Sequence, residues 1–188
     1  MPQQQLLEKV VPILESLGID YMITGSIASS LQGQPRSTHD IDLVVTLPPQ
    51  AVQPLLAAFP LPGFLLQEEG IRSALRDQSM FNLLALADGE EVDFWMLTQE
   101  PFDQARFARK RIVDIGGKPY KMSSPEDTIL VKLRWAKLSG GSEKQIKDAL
   151  RVFEVQGNRL DLDYINQWAD RLGVEDYWKQ IQDEAVQP

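Results

Sequence analysis

The 188-residue chain contains no cysteine and a single histidine, His39. Disulfides and thiolate metal centres are thereby excluded, and a zinc site, which draws on Cys and His ligands, has almost nothing to use. No run of about 18 apolar residues is present, so no membrane-spanning helix is expected. The opening segment, MPQQQLLEKVVPILESLG, carries glutamines and acids where a secretory leader has a basic head and an apolar centre. The expectation is a cytoplasmic protein with no membrane partner. Positive charge is also short. With 19 Lys and Arg against 27 Asp and Glu, the net charge is −8, which disfavours broad, non-specific attraction to nucleic acid.

What is present is ordinary globular material, 43% hydrophobic and 24% charged. The bases are unevenly placed. From Gln104 to Lys137 nine bases face three acids, so this stretch is +6 and the remainder −14. That is either a local basic face able to meet phosphates or a set of solvated helix and strand surfaces.

Apolar spacing predicts a helix over Gln4 to Leu17, stopped by Gly18, then a short strand over Tyr21 to Thr24. Ser26 to Leu31 reads as a helix, Ile41 to Val45 as a strand, and Pro48-Pro49 opens a further helix to about Ala58. Strands near 64–67, 80–86 and 91–96 follow, the last two joined by an Asp88-Gly89 hairpin turn. A helix over 101–109 and strands over 112–115 and 118–122 complete a mixed part. From Ser123 the pattern is helical, beginning with SSPEDT, a capping residue, a proline in the first turn and acids close behind. The expected organisation is an α/β domain over 1–122 and a C-terminal helical region over 123–188.

Within TGSIASSLQGQPRSTHDIDLVV, Asp40 and Asp42 stand at the head of an apolar strand. Side chains alternate along a strand, so both carboxylates point one way while Ile41, Leu43 and Val45 point the other. Two carboxylates so placed repel each other unless a cation sits between them, and Mg²⁺ binds through one or two carboxylates together with substrate phosphates. The bland reading gives the first Asp a turn to cap and the second a surface arginine. Gly25 lets the backbone come close to a ligand, and Ser26 adds a hydroxyl near a helix start. Asp93, in EEVDFW, repeats the pattern of an acid among apolar strand residues. Three such acids on adjacent strands would make a two-metal centre, one ion activating an attacking hydroxyl and the other steadying leaving pyrophosphate, whereas Asp93 alone could be an exposed strand acid. His39 reads as structural, and Trp135, Trp168 and Trp178 as packing residues. Trp95 beside Asp93 could stack on a base or pack in the core. ARFARKR, residues 105–111, could grip a nucleic-acid backbone or form a solvated helix end.

The Gly-Ser pair, the spacer leading to HDIDLVV and the third acid in EVDFW together resemble the nucleotidyltransferase fold of the DNA polymerase beta superfamily. SPEDTILVKLRWAK, EKQIKDALRVF and LDLDYINQWADRLGV are similar to the bacterial AbiEii-like nucleotidyltransferases, a group that includes toxins of toxin–antitoxin systems. The resemblance runs from about Leu6 to Ala185. It implies a mixed sheet flanked by helices, followed by a helical bundle, and transfer of a nucleoside monophosphate from an NTP to a hydroxyl. By the same resemblance, Asp40, Asp42 and Asp93 would hold Mg²⁺ or Mn²⁺, with Asp93 able to act as base. Gly25 and Ser26 would form the nucleotide-binding turn, Lys132 would touch the phosphates, and Asp148 would hold that lysine or a nearby base. Arg36 and Thr38 would bind phosphate or brace the turn. The implied partners are an NTP, an acceptor that is RNA (tRNA-like), protein or a small molecule, and a cognate antitoxin. A non-catalytic nucleotidyltransferase-like binding or regulatory protein is the alternative. Two departures stand out: Gly-Ser where many members carry Gly-Gly, and Gln145 where an acid is often found.

Overall fold

The structure is a computed structural model that describes residues 2–36 and 40–185. Thr38 and His39 lie outside the described residues. The N-terminal apolar stripe winds α1 (Pro2–Ser16), whose run ends at Gly18 in the left-handed region, φ 67°. Among the described residues seven strands follow: β1 (Asp20–Ile23), β2 (Asp40–Thr46), β3 (Phe64–Leu66), β4 (Met80–Ala85), β5 (Glu90–Met96), β6 (Arg111–Ile115) and β7 (Lys118–Met122). They form one sheet in the order β3-β4-β5-β2-β1-β7-β6. The Asp-Gly turn makes β4 and β5 an antiparallel hairpin, as its sequence predicts. Two pairings are parallel, β2 with β5 and β1 with β7.

Three helices, α3 (Val52–Ala58), α4 (Glu68–Asp77) and α5 (Pro101–Ala108), connect these strands. The alternate strand residues Ile41, Leu43, Val92, Phe94 and Leu83 are at most 1% exposed, and Phe81 stacks on Phe94 at 4.8 Å between ring centroids. Burial of such side chains contributes about 1.5–3 kcal/mol each. The opposite strand face begins polar and becomes apolar further along, where Met22 and Val44 pack with Phe107 of α5 and with Trp95 and Leu97.

The chain divides into two compact units, Met1–Ile23 with Thr38–Met122, and Thr24–Ser37 with Ser123–Pro188. The sequence suggests a single boundary after Met122. The structure places the segment beginning at Thr24 with the C-terminal helices, and the reason lies in α2 (Gly25–Gln32). This helix packs against α6 (Pro125–Leu138) and α7 (Glu143–Gln156), and Gln32 donates to the carbonyl of Ser123 at 2.6 Å. Helices α8 (Leu162–Leu172) and α9 (Glu175–Glu184) complete the second unit. Ser124 caps α6 by accepting from the Asp127 backbone N–H, and the buried Asp127 also receives the Tyr164 hydroxyl at 2.7 Å. Among the described residues no helix is long and apolar enough to cross a membrane.

Gly33, which ends α2, has no room for a side chain. A Cβ there would lie 2.9 Å from the Ser29 carbonyl oxygen and 2.9 Å from the backbone nitrogen of Val152 on α7. Neither neighbour is a side-chain tip that can swing aside. Gly33→Ala is expected to cost about 2 kcal/mol through overpacking, read as a lower urea midpoint.

Candidate functional site

The parallel register of β2 and β5 sets Asp42 beside Asp93 and Asp40 beside Glu91. Neighbouring strands run about 4.8 Å apart, so these four acids share one patch of the sheet face. The antiparallel register of β4 adds Asn82 opposite Asp93, and the Asn82 amide donates to the Glu91 carboxylate. Asp40 is exposed, and Asp42, Glu91 and Asp93 are half-buried. Trp95, one strand period beyond Asp93, turns its indole N–H toward Asp42 Oδ1 at 3.4 Å. The sequence left Trp95 between stacking and packing. Here it packs with Met22, Val44 and Phe107 while its polar edge meets the acid.

Burial, and then the negative charges of Glu91, Asp42 and Asp40, push the Asp93 carboxyl up from its ordinary 3.8 to about 6. The sign of the consequence follows from proton binding. Between pH 3.8 and about 6 the folded chain holds a proton on Asp93 that the unfolded chain has released. This group's contribution to stability therefore falls as the pH rises through that window. Asp93→Asn should flatten that part of the stability profile and raise the metal-free melting temperature at pH 7. Thermal melts of both proteins from pH 4 to 7.5 provide the check.

A patch of crowded carboxylates with one raised proton affinity is suited to a hard divalent cation. Among the described residues no three His, Asp or Glu side chains are gathered into a ready-made metal cage. An ion held by these carboxylates would complete its shell with water and phosphate oxygens.

The remaining sequence candidates lie in the second unit. Gly25 opens α2 with φ 62°, a conformation a side chain would strain. Arg36 sits between two partners: its Nε and Nη2 donate to the two oxygens of Asp148 at 3.0 and 2.7 Å, and Nη2 also reaches Ser26 Oγ at 3.0 Å. Its backbone is pinned as well, since the Arg36 N–H donates to Ser30 Oγ and that hydroxyl donates to the Arg36 carbonyl. Lys132 approaches Asp148 from α6, Nζ to Oδ2 at 2.8 Å, with only 5% of its side chain exposed. Burial alone would push the Asp148 carboxyl up. Hydrogen bonds from Arg36 and Lys132 outweigh this and hold it below its ordinary value. Lys132 therefore lies in a buried network that fixes Arg36 beside Ser26.

The basic stretch 104–137 is largely occupied with structural work. Lys110 and Lys121 both pair with Asp20, at 3.0 and 2.7 Å, Arg106 pairs with Asp103, and Lys118 with Glu8. Lys137 donates to the carbonyls of Leu172 and Gly173. A further basic cluster was missed by the sequence reading. It lies on α7, where Lys144, Lys147 and Arg151 recur at helical spacing and line a pocket of about 380 Å³ with Arg36.

No protein-family model matches the sequence, and no curated protein does. Solved structures match it well. The crystal structure of ANT(2")-Ia in complex with adenylyl-2"-tobramycin superposes with a TM-score of 0.60 at 16% identity, covering 93% of this chain and 99% of that one. The solution structure of ANT(2")-Ia gives 0.58 at 16% identity, over 97% and 96% of the two chains. An antigenic nucleotidyltransferase-like protein from Paracoccidioides brasiliensis gives 0.57 at 21% identity, over 93% and 91%. The mixed seven-stranded sheet with its flanking helices is the nucleotidyltransferase fold.

Proposed function

We propose that the chain moves a nucleoside monophosphate from an NTP to an acceptor hydroxyl, with Mg²⁺ or Mn²⁺ as cofactor. The observation that carries this reading is the acid patch of β2 and β5 in a sheet of nucleotidyltransferase fold, with Asp42 and Asp93 in register. Asp40, Asp42 and Asp93 would hold the ion, whose charge would offset that of the triphosphate. Asp93 would take the proton of the acceptor hydroxyl. The freed oxygen bonds to the α-phosphorus as the bond to pyrophosphate breaks. In the second unit, Gly25 and Ser26 would meet phosphate oxygens, and Arg36 would add a planar cation suited to them. Lys132 acts through Asp148, which orients Arg36.

Chemistry of this kind on this fold has a precedent in the adenylylated tobramycin held by ANT(2")-Ia. A small-molecule hydroxyl is thus one acceptor class beside RNA and protein. The AbiEii-like resemblance adds a cellular setting, a toxin held in check by a cognate antitoxin.

The test is transfer of label from each α-labelled NTP, with Mg²⁺ or Mn²⁺, to the protein itself, to total RNA and to a small-metabolite extract. Label that requires the divalent ion supports the enzyme and identifies the acceptor class. No label in any fraction from a folded, metal-loaded protein would favour the non-catalytic alternative.

A further inference from the structure

The pocket between α2 and α7 lies wholly within the second unit and is not explained by the acid patch. Its lining includes Ser29, Arg36, Lys144, Lys147, Asp148 and Arg151, four cations against one carboxylate. That carboxylate is already engaged, since Asp148 accepts from both Arg36 and Lys132. Lys144 and Lys147 are exposed and have no ion-pair partner among the described residues. Arg151 bonds Glu154 through Nη1 at 2.6 Å, yet its Nε is buried and without a hydrogen-bond partner among the described residues. In a chain of net charge −8, a concave cluster that holds four cations, with Lys144 and Lys147 left without an ion-pair partner among the described residues, is a local exception.

We propose that this pocket binds a phosphate group and that, on the transfer reaction proposed above, the acceptor is itself a phosphorylated molecule. Phosphate matches the lining in two respects. It is anionic, and it presents several acceptor oxygens at once to the ammonium groups of Lys144 and Lys147. A polyamine acceptor is disfavoured, because its ammonium groups would meet Lys144 and Lys147 as like charges. The same phosphate chemistry could come from the nucleotide's own triphosphate, and the experiment separates the two sources.

The full-length protein is titrated calorimetrically with inorganic pyrophosphate in metal-free buffer, and separately with Mg²⁺ and an NTP analogue that cannot be cleaved at the α–β bond. Both titrations are repeated on a Lys144→Glu, Lys147→Glu variant, with circular dichroism confirming its fold. Pyrophosphate should bind the native chain with an affinity that falls as salt rises, and the variant should bind it about tenfold or more weakly. Undiminished affinity for the analogue in that variant assigns the pocket to a phosphorylated acceptor. An equal loss for the analogue overturns that assignment, giving the pocket to the nucleotide. Absent pyrophosphate binding, or binding unchanged in the variant, overturns the pocket itself. If the native chain fails to bind the analogue at all, the transferase reading fails, whatever pyrophosphate does.

Discussion

Replacing Asp40 and Asp42 together by asparagine should lower nucleotidyl transfer by about a thousandfold or more, some 4 kcal/mol of transition-state stabilisation. Asparagine keeps the shape and the oxygen but loses the charge that holds a divalent cation against a triphosphate. The same variant should melt at or above the native temperature in metal-free buffer. The physical reason is repulsion: Glu91, Asp42 and Asp40 all push protons onto Asp93, and two of those charges disappear. Activity and stability therefore move in opposite directions, which a merely unfolded variant could not imitate. Transfer within tenfold of native, or a lowered melting temperature, would contradict the account of the acid patch.

Asp148→Ala is expected to be the most destabilising single change in the second unit, at about 3–5 kcal/mol. Only 5% of the Lys132 side chain is exposed, so its ammonium would stay buried without this carboxylate. Arg36, with 31% of its side chain exposed, can turn to water instead and contributes less of the loss. Pairing the change with Lys132→Met removes the stranded charge and should recover most of the stability, although Arg36 stays unanchored and activity does not return. Urea denaturation of the single and double variants reads this directly. The carboxyl of Asp148 is held below its ordinary value, so its contribution is present above the unfolded value and fades as acid is added through the depressed one. A single-variant loss below about 1 kcal/mol would show that the network is not the brace described.

Much of this was legible in the sequence because local physics dominates there. Alternation around Asp40 and Asp42 sorts acids from apolar neighbours, and burial follows that sorting, with Ile41 and Leu43 fully buried. The Asp88-Gly89 turn announces its hairpin, and Ser124-Pro125 announces the start of α6. What could not be read was pairing at a distance. The parallel match of β2 with β5, which makes neighbours of Asp42 and Asp93, joins strands about fifty residues apart with no local turn to declare it. The placement of α2 was equally hidden. Its position next to β1 in the chain suggests one domain, whereas Gly33 against α7 and Gln32 against Ser123 bind it to the other unit. The density of bases over 104–137 pointed away from the α7 pocket. A helical count through KQIKDALR would have aligned Lys144, Lys147 and Arg151, but not shown that Asp148 between them is already spent.

The measurement that bears most directly on the transferase reading needs no knowledge of the acceptor. Binding of Mn²⁺ is followed by electron paramagnetic resonance, with and without an NTP analogue that cannot be cleaved. Two or three carboxylates short of a full cage predict weak binding of Mn²⁺ alone and much tighter binding once phosphate oxygens complete the shell. Both should be abolished in the Asp40→Asn, Asp42→Asn variant. Nucleotide that leaves Mn²⁺ affinity unchanged, or tight binding that survives in the variant, would contradict the assignment of the β2–β5 acids to a metal–nucleotide site.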